Sequence, residues 1–392
     1  GTADAGGSQF QLRGATMLET IPGSRSWLEV DLGVLRANVE RVRTAVHPAQ
    51  VIAVVKADAY GLGAAAVVRV LARAGATAFA VADAREALEL DSRGLPVHIL
   101  GEVFADELAA TIAAGVVHPV ACEDSARAIS SEAERQNRTA ECQILVDSGM
   151  GRLGIPAAGA PAVIRRIVAL PYLRCCGIYT HFPMASRAGE GFTRRQVAVF
   201  RELLDALRNV GICFRSVHIA NSPAVNTFPV AVRPPFNRVR VGIDLYGGFD
   251  EDGSRSLGLA PVVAMKSRLA AVRTLPAGTP IGYDCTHTLS EDTRVGTVAA
   301  GYADGIPLAL SNRGHVLVRG KCCPILGRVS MDYTTVSLAN VPEAVKGDEV
   351  TCLGSQGKQA ITVEQWADMK GTHAYDILCS FGRRCERRYT NA

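Results

Sequence analysis

Val51-Ile52-Ala53-Val54-Val55-Lys56-Ala57-Asp58-Ala59-Tyr60-Gly61 is the stretch whose reading decides the fold. Five apolar residues run without alternation, as in a parallel strand buried on both faces. The run ends on a lysine. Gly61 and Gly63 then give a tight loop, and a helical stretch starts near Ala64. Barrel enzymes place their chemistry at the carboxyl ends of such strands. A lysine there, desolvated at one end of the strand, is poised to attack an aldehyde. Tyr60, four residues on, can offer its hydroxyl to a phosphate. The bland alternative is a lysine that snorkels from a strand edge.

Composition favours the first reading. Of 392 residues only six are lysine, against 36 arginines, and Lys56 is the only lysine in the first 265. A guanidinium is never deprotonated in a protein, so a retained amine suggests a task that arginine cannot do. Net charge is +4 with no basic block, which argues against a nucleic-acid partner. No run of 18 apolar residues exists, so no membrane span is expected. The 11 cysteines form no C-x-x-C pair, which suggests reduced thiols in a cytoplasmic protein and no metal site. Residues 1–16 are Gly/Ala-rich and lack an apolar core segment, so no signal peptide is read there.

From about Ser26, β-branched runs alternate with helical stretches. The strand-like runs include Trp27–Val30, Val51–Val55, Ala78–Val81, His98–Leu100, Ile144–Val146, Cys176–Thr180, Ser216–Ile219 and Val239–Ile243. Helical stretches include Leu35–Val46, Ala64–Ala74, Ala84–Asp91 and Arg194–Arg208. Strand–helix alternation of about eight units predicts an α/β fold, a (β/α)8 barrel of the TIM type. Beyond Pro261 the runs are short and separated by Gly/Pro turns. They are Val262–Arg268, Ala270–Thr274, Thr293–Ala299, His315–Val318, Pro324–Val329, Thr334–Leu338 and Glu349–Leu353. That pattern predicts an antiparallel β domain. The expected division is an N-terminal extension over 1–24, a barrel over 25–262 and a C-terminal β domain over 263–392.

The Lys56 segment resembles the pyridoxal-phosphate motif of the alanine racemases, with Leu62 where that family usually has His. More of the family's motifs follow in order: Ser148-Gly149-Met150-Gly151-Arg152-Leu153-Gly154, Thr180-His181-Phe182, His218-Ile219-Ala220-Asn221-Ser222 and Arg240-Val241-Gly242-Ile243-Asp244-Leu245-Tyr246-Gly247. Then come Gly282-Tyr283-Asp284, Gly301-Tyr302-Ala303-Asp304-Gly305, Gly327-Arg328-Val329-Ser330-Met331-Asp332 and Ala374-Tyr375-Asp376-Ile377-Leu378-Cys379-Ser380. The resemblance implies a pyridoxal 5'-phosphate enzyme that interconverts L- and D-alanine, supplying D-alanine for peptidoglycan. It implies a head-to-tail homodimer in which each C-terminal domain completes the partner's site. Lys56 is then the cofactor lysine and the base on one face of Cα, with Tyr283 of the partner on the other. Tyr60, Asn221, Ser222, Gly242, Ile243 and Tyr375 surround the phosphate. His181 stacks on the ring and Arg240 faces its nitrogen. Tyr302 also belongs to the site, and Arg152 and Met331 hold the substrate carboxylate. Asp58 and Asp304 are expected to be structural acceptors.

Several positions depart from that pattern. Leu145 stands where the family often has a lysine poised on the motif arginine. Ser186 and Leu308 replace charged residues of the entry corridor. Arg383-Arg384-Cys385-Glu386-Arg387 replaces Arg-Val-Pro-Arg. Retained Tyr375 favours a small apolar substrate. Other readings remain open: a serine or broader-specificity racemase, a decarboxylase or aldolase on the same scaffold, and a non-catalytic pyridoxal-phosphate-binding protein.

Overall fold

The structure, a computed structural model, describes residues 24–185, 189–247 and 256–392. The expected extension over 1–24 lies, apart from Ser24, outside the described residues, and so does Ser186.

Besides a two-residue strand at Ile155–Pro156, nine strands precede residue 262 among the described residues: β1 (Ser26–Asp31), β2 (Gln50–Val54), β3 (Ala78–Val81), β4 (Val97–Ile99), β5 (His118–Val120), β6 (Ala140–Asp147), β7 (Leu173–Tyr179), β8 (Ser216–His218) and β9 (Arg238–Val241). Eight of them, β2 to β9, pair in parallel in the order β4-β3-β2-β9-β8-β7-β6-β5. A single parallel bridge, His98 opposite Val117, draws the two ends together. The barrel expectation holds. Its strands are the apolar runs of the sequence, and Val51, Ile52, Ala53 and Val54 of β2 are all buried. Helices such as Leu32–Val46, Ala64–Arg73 and Glu190–Asn209 cover the outside. Caps fix where helices begin. The Asp31 carboxylate accepts from Val34 N–H at 2.9 Å, a contact worth about 1 kcal/mol.

One strand is reassigned. Trp27–Val30 reads as a barrel strand in sequence, yet β1 belongs to the other sheet. It pairs antiparallel with the long strand β10 (Val263–Leu275) and parallel with Glu386–Thr390. Its barrel place is taken by β5, three residues that include a proline.

The second sheet is mostly antiparallel. The two runs expected at Val262–Arg268 and Ala270–Thr274 form the single strand β10. Its pairing slips between Leu269 and Ala271: the first half lies against Glu349–Gln356 and the second against Thr293–Val298. The run expected at Pro324–Val329 is not a strand. The strand there is Lys321–Pro324, and only an Ile325–Val336 bridge follows it, because Gly327 turns the chain at φ 73°. The two sheets share one continuous apolar core. Val30, Met265 and Leu353 belong to the same cluster as the barrel interior.

Candidate active site

Lys56 follows β2 by two residues and is exposed at the carboxyl end of the barrel. The expected desolvation of its amine is therefore absent from the single chain. The four residues after it turn the opposite way from an ordinary helix. Ala57, Asp58, Ala59 and Tyr60 all have φ between 53° and 58°. Left-handed backbone costs L-residues about 1–2 kcal/mol each, so such a turn persists only where its surroundings dictate it. Here the Glu86 carboxylate accepts from Ala57 N–H at 2.6 Å and the Asp58 carboxylate from Ala64 N–H at 2.7 Å. Gly61 N–H closes the turn on Ala57 O at 2.8 Å. Asp58 is thus a structural acceptor, as expected. The turn delivers the Tyr60 ring into the core, 4.9 Å from the Tyr246 ring and 6.0 Å from that of Tyr375. Burial pushes both the Tyr60 and Tyr375 hydroxyls well above the usual phenol range.

The neighbouring strand supplies the floor. β9 lies beside β2 with Arg240 opposite Ile52 and Val241 opposite Ala53. Gly242 follows, and a Cβ on it would stand 2.1 Å from the Tyr60 hydroxyl. Only glycine lets that hydroxyl reach the loop. Ser222 Oγ accepts from Gly242 N–H at 3.0 Å and from Asp244 N–H at 3.4 Å. Asn221 caps the short helix Ser222–Thr227 by accepting from Ala224 N–H at 3.2 Å, and it donates to Phe182 O. Ile243 opens the next helical turn. Gly242, expected among the residues around the phosphate, has its N–H engaged by Ser222.

Arg240 is buried, and its guanidinium has donors only. Nη1 donates to His218 Nδ1 and O. Nη2 donates to Thr180 O at 2.7 Å and to His181 Nδ1 at 3.3 Å. Both imidazoles must therefore accept at Nδ1, which assigns their ring proton to Nε2. His218 then donates that proton to Gln143 Oε1 at 2.7 Å. Burial, then the charge of Arg240, holds both histidines below their usual range, His181 at about 3. Burial also lowers Arg240 itself to about 10, so it remains a cation. Its Nε–H has no protein acceptor among the described residues. In the sequence His218 is only a motif and strand residue, and Gln143 is not singled out at all. A polar residue inside an apolar strand was the available signal.

Arg152 sits on a glycine loop whose shape Asp147 sets. That carboxylate accepts from the N–H groups of Gly149, Met150 and Gly151 at 2.8–3.2 Å. The Arg152 side chain has no hydrogen bond or ion pair among the described residues. Leu145 is buried opposite Tyr179 and offers it none.

A third group lies in turns of the C-terminal half. Tyr283 is 70% exposed, Tyr302 45% and Met331 52%. Arg384 organises the Met331 loop: it donates to Met331 O and pairs with Asp332 and with buried Asp304. Asp304 also accepts from Ser26 and Gly301, as a structural acceptor should. Within one chain, no hydrogen bond or ring contact among the described residues joins Tyr283, Tyr302 or Met331 to Lys56. Leu308 is exposed.

A parallel barrel with an amine, a buried arginine and converging hydroxyls at the carboxyl ends of two adjacent strands is the plan of a barrel enzyme. Family models agree with that class: the alanine racemase N-terminal domain matches residues 30–250 and the C-terminal domain residues 262–389. The chain is 37% identical over 372 residues to the alanine racemase of Syntrophobacter fumaroxidans, covering 94% of this chain and 98% of that one. It superposes with a TM-score of 0.88 on the crystal structure of alanine racemase from D-cycloserine-producing Streptomyces lavendulae, at 33% identity, covering 95% and 98% of the two chains. A structure of the Bartonella henselae enzyme, described with covalently bound pyridoxal phosphate, matches with a TM-score of 0.84 at 28% identity, covering 93% and 99%. The chain belongs to the alanine racemase family.

Among the described residues, no cluster of three or more His, Cys, Asp or Glu side chains could hold a metal ion, and no helix is long and apolar enough to cross a membrane.

Proposed function

We propose that this chain interconverts L- and D-alanine, using pyridoxal phosphate carried on Lys56 and a site completed by a second copy of the chain. The observation that carries this is the register of β2 and β9, which brings Lys56 and the Gly242 loop to the carboxyl ends of adjacent strands, with Arg240 opposite Ile52 in the strands below them. The residues fit the cofactor. Lys56 supplies the amine. The hydroxyls of Tyr60, Ser222 and Tyr375, with the N–H of Ile243 and the Asn221 cap, suit a phosphate. The free Nε–H of Arg240 suits a ring nitrogen, and His181 suits the ring face. When bound, the cofactor supplies an electron sink that makes the substrate's α-proton removable.

The protein's part is to orient, exclude and move protons. Arg240 cannot readily give up its proton, so it would hold a ring nitrogen by donating a hydrogen bond without protonating it, which would disfavour side reactions. His181 is neutral and cannot protonate a phosphate or a carboxylate near pH 7. Arg152 and Met331 hold the substrate carboxylate. Lys56 takes or returns a proton on one face of Cα. A single base serves one face only, so inversion needs a second one opposite it. Tyr283 and Tyr302 are exposed in turns of the C-terminal half, and among the described residues no hydrogen bond or ring contact joins them to Lys56 within the chain. A second copy placing its Tyr283 over the barrel mouth would complete the pair, in a closed two-fold dimer. Half-buried Tyr375 beside Tyr60 narrows the pocket and favours alanine over serine.

The test is to incubate the cofactor-loaded protein with either alanine enantiomer and follow optical rotation. Both solutions should converge on zero. Unchanged handedness with release of amine or aldehyde would instead support a decarboxylase or aldolase. Faster turnover of serine than of alanine would move the substrate assignment.

A further inference from the structure

Three cysteines meet on neighbouring barrel strands, away from the mouth. Cys142 near the start of β6 and Cys175 near the start of β7 are register partners. Their sulfurs are 3.4 Å apart, with Cys142 donating to Cys175. The third, Cys176, donates instead to Cys142 O at 3.2 Å. Adjacent strands run about 4.8 Å apart, inside the Cα window of about 4.4–6.8 Å that a disulfide needs. The pairing slips between Cys142 and Gln143, which loosens the ladder at this point. Cys142 is buried and Cys175 is half-exposed.

We propose that Cys142 and Cys175 form a thiol–disulfide exchange site, entered from solvent through Cys175 and taking small organic disulfides of the glutathione type. The hydrogen bond from Cys142 holds the Cys175 thiol below its usual range and raises that of Cys142. Cys175 is therefore the attacking sulfur, since the thiolate is the nucleophile. Its thiolate forms a bond to one sulfur of the small disulfide, whose S–S bond breaks. The other half leaves as a thiolate and takes up a proton. Cys142 then loses its proton to solvent and attacks the Cys175 sulfur. The second small thiolate leaves and is protonated. Two protein thiols are oxidised, and one small disulfide is reduced to two thiols. Reductant reverses the sequence. The Arg174–Glu141 ion pair flanks the entrance on the same two strands.

The experiment uses the full chain, fully reduced, then exposed to oxidised glutathione and mapped by non-reducing peptide mass spectrometry with fragment-ion assignment. The expected product is a peptide pair linked through Cys142 and Cys175, lost on adding dithiothreitol. With Cys142→Ser, glutathione should accumulate on Cys175, because the resolving sulfur is gone. With Cys176→Ser, the link should still form. Two results would overturn the proposal. One is unmodified Cys142 and Cys175 in protein whose exposed Cys122 and Cys213 carry glutathione. The other is a link that runs to Cys176. The wild-type map decides even if a variant fails to fold, and circular dichroism shows whether each variant has.

Discussion

Gly242→Ala tests the cofactor cradle most directly. The added Cβ would lie 2.1 Å from the Tyr60 hydroxyl and 2.9 Å from the ring carbon that bears it. An ordinary contact begins near 3.4 Å, so the hydroxyl must retreat by about 1.3 Å. The ring has little room to do so. Tyr246 and Tyr375 flank it, and its own backbone is locked in the left-handed turn. A retreat of that size breaks any hydrogen bond the hydroxyl makes to a phosphate. A hydrogen bond to a charged group is worth about 1.5–3 kcal/mol, so pyridoxal phosphate should bind about 10- to 150-fold more weakly. Overpacking should cost about 1–3 kcal/mol of stability besides. Titrating cofactor-free protein with pyridoxal phosphate and following absorbance gives the affinity, and urea denaturation gives the stability. Tyr60→Phe alone should lose a similar factor in affinity. On that background Gly242→Ala should add little further, because both changes remove the same hydroxyl. Unchanged affinity in Gly242→Ala, or fully additive losses in the double variant, would refute the reasoning.

Replacing Lys56 by Ala should abolish the visible absorbance of the cofactor-loaded protein. A yellow, borohydride-reducible variant would remove Lys56 from its role. Tyr283→Ala should impair α-proton exchange from the two alanine enantiomers unequally, and equal losses by deuterium exchange would argue against two bases. Mixing inactive Lys56→Ala and Tyr283→Ala proteins should restore about a quarter of the activity after subunit exchange, because half the dimers are then mixed and each carries one intact site; no recovery, with mixed dimers seen by native mass spectrometry, counts against a shared site. His98 and His181 are each held at about 3 by burial, with nearby arginine charge adding to the effect. The unfolded chain therefore takes up their protons first, and stability should fall as pH drops from about 6.5 toward 3, by up to about 1.4 kcal/mol per unit for each. His98→Leu should flatten that slope by one proton in urea denaturation across pH, and an unaltered slope would contradict the assignment.

The barrel was legible in sequence because its strands are continuous apolar runs, as at Val51–Val55. β5 escaped because His118-Pro119-Val120 is short and contains a proline. β1 was legible as a strand but not in its sheet, since a local apolar pattern carries no record of its partner. The left-handed turn was invisible. Ala-Asp-Ala-Tyr has ordinary propensities, and its shape depends on Glu86, which reaches it from another barrel unit, as well as on the local bond from Ala64 N–H to Asp58. Of the candidate site, Lys56, Tyr60, Ser222, Gly242, Arg240, His181 and Tyr375 converge through adjacent strands and shared contacts. Tyr283, Tyr302 and Met331 stand apart from them. Single-residue chemistry could suggest that Arg240 was special. It could not reveal that Arg240 holds two histidines in one tautomer, because that depends on where three strands end.

The placement of β1 bears on how the molecule assembles. During synthesis this strand emerges before every barrel strand. One neighbour, β10, lies more than 230 residues later, and the other, Glu386–Thr390, is the last strand of the described chain. Until both exist, β1 presents two unpaired edges. The barrel can gather behind it, but the second sheet cannot close until the end of the chain arrives. That sheet then ties down the barrel loop beside Lys56, where Arg387 donates to Gly61 O and Tyr389 to Leu62 O. Cutting the chain near residue 262 would therefore not release two independent halves. It would strand β1 without partners and free the loop that carries the reactive lysine.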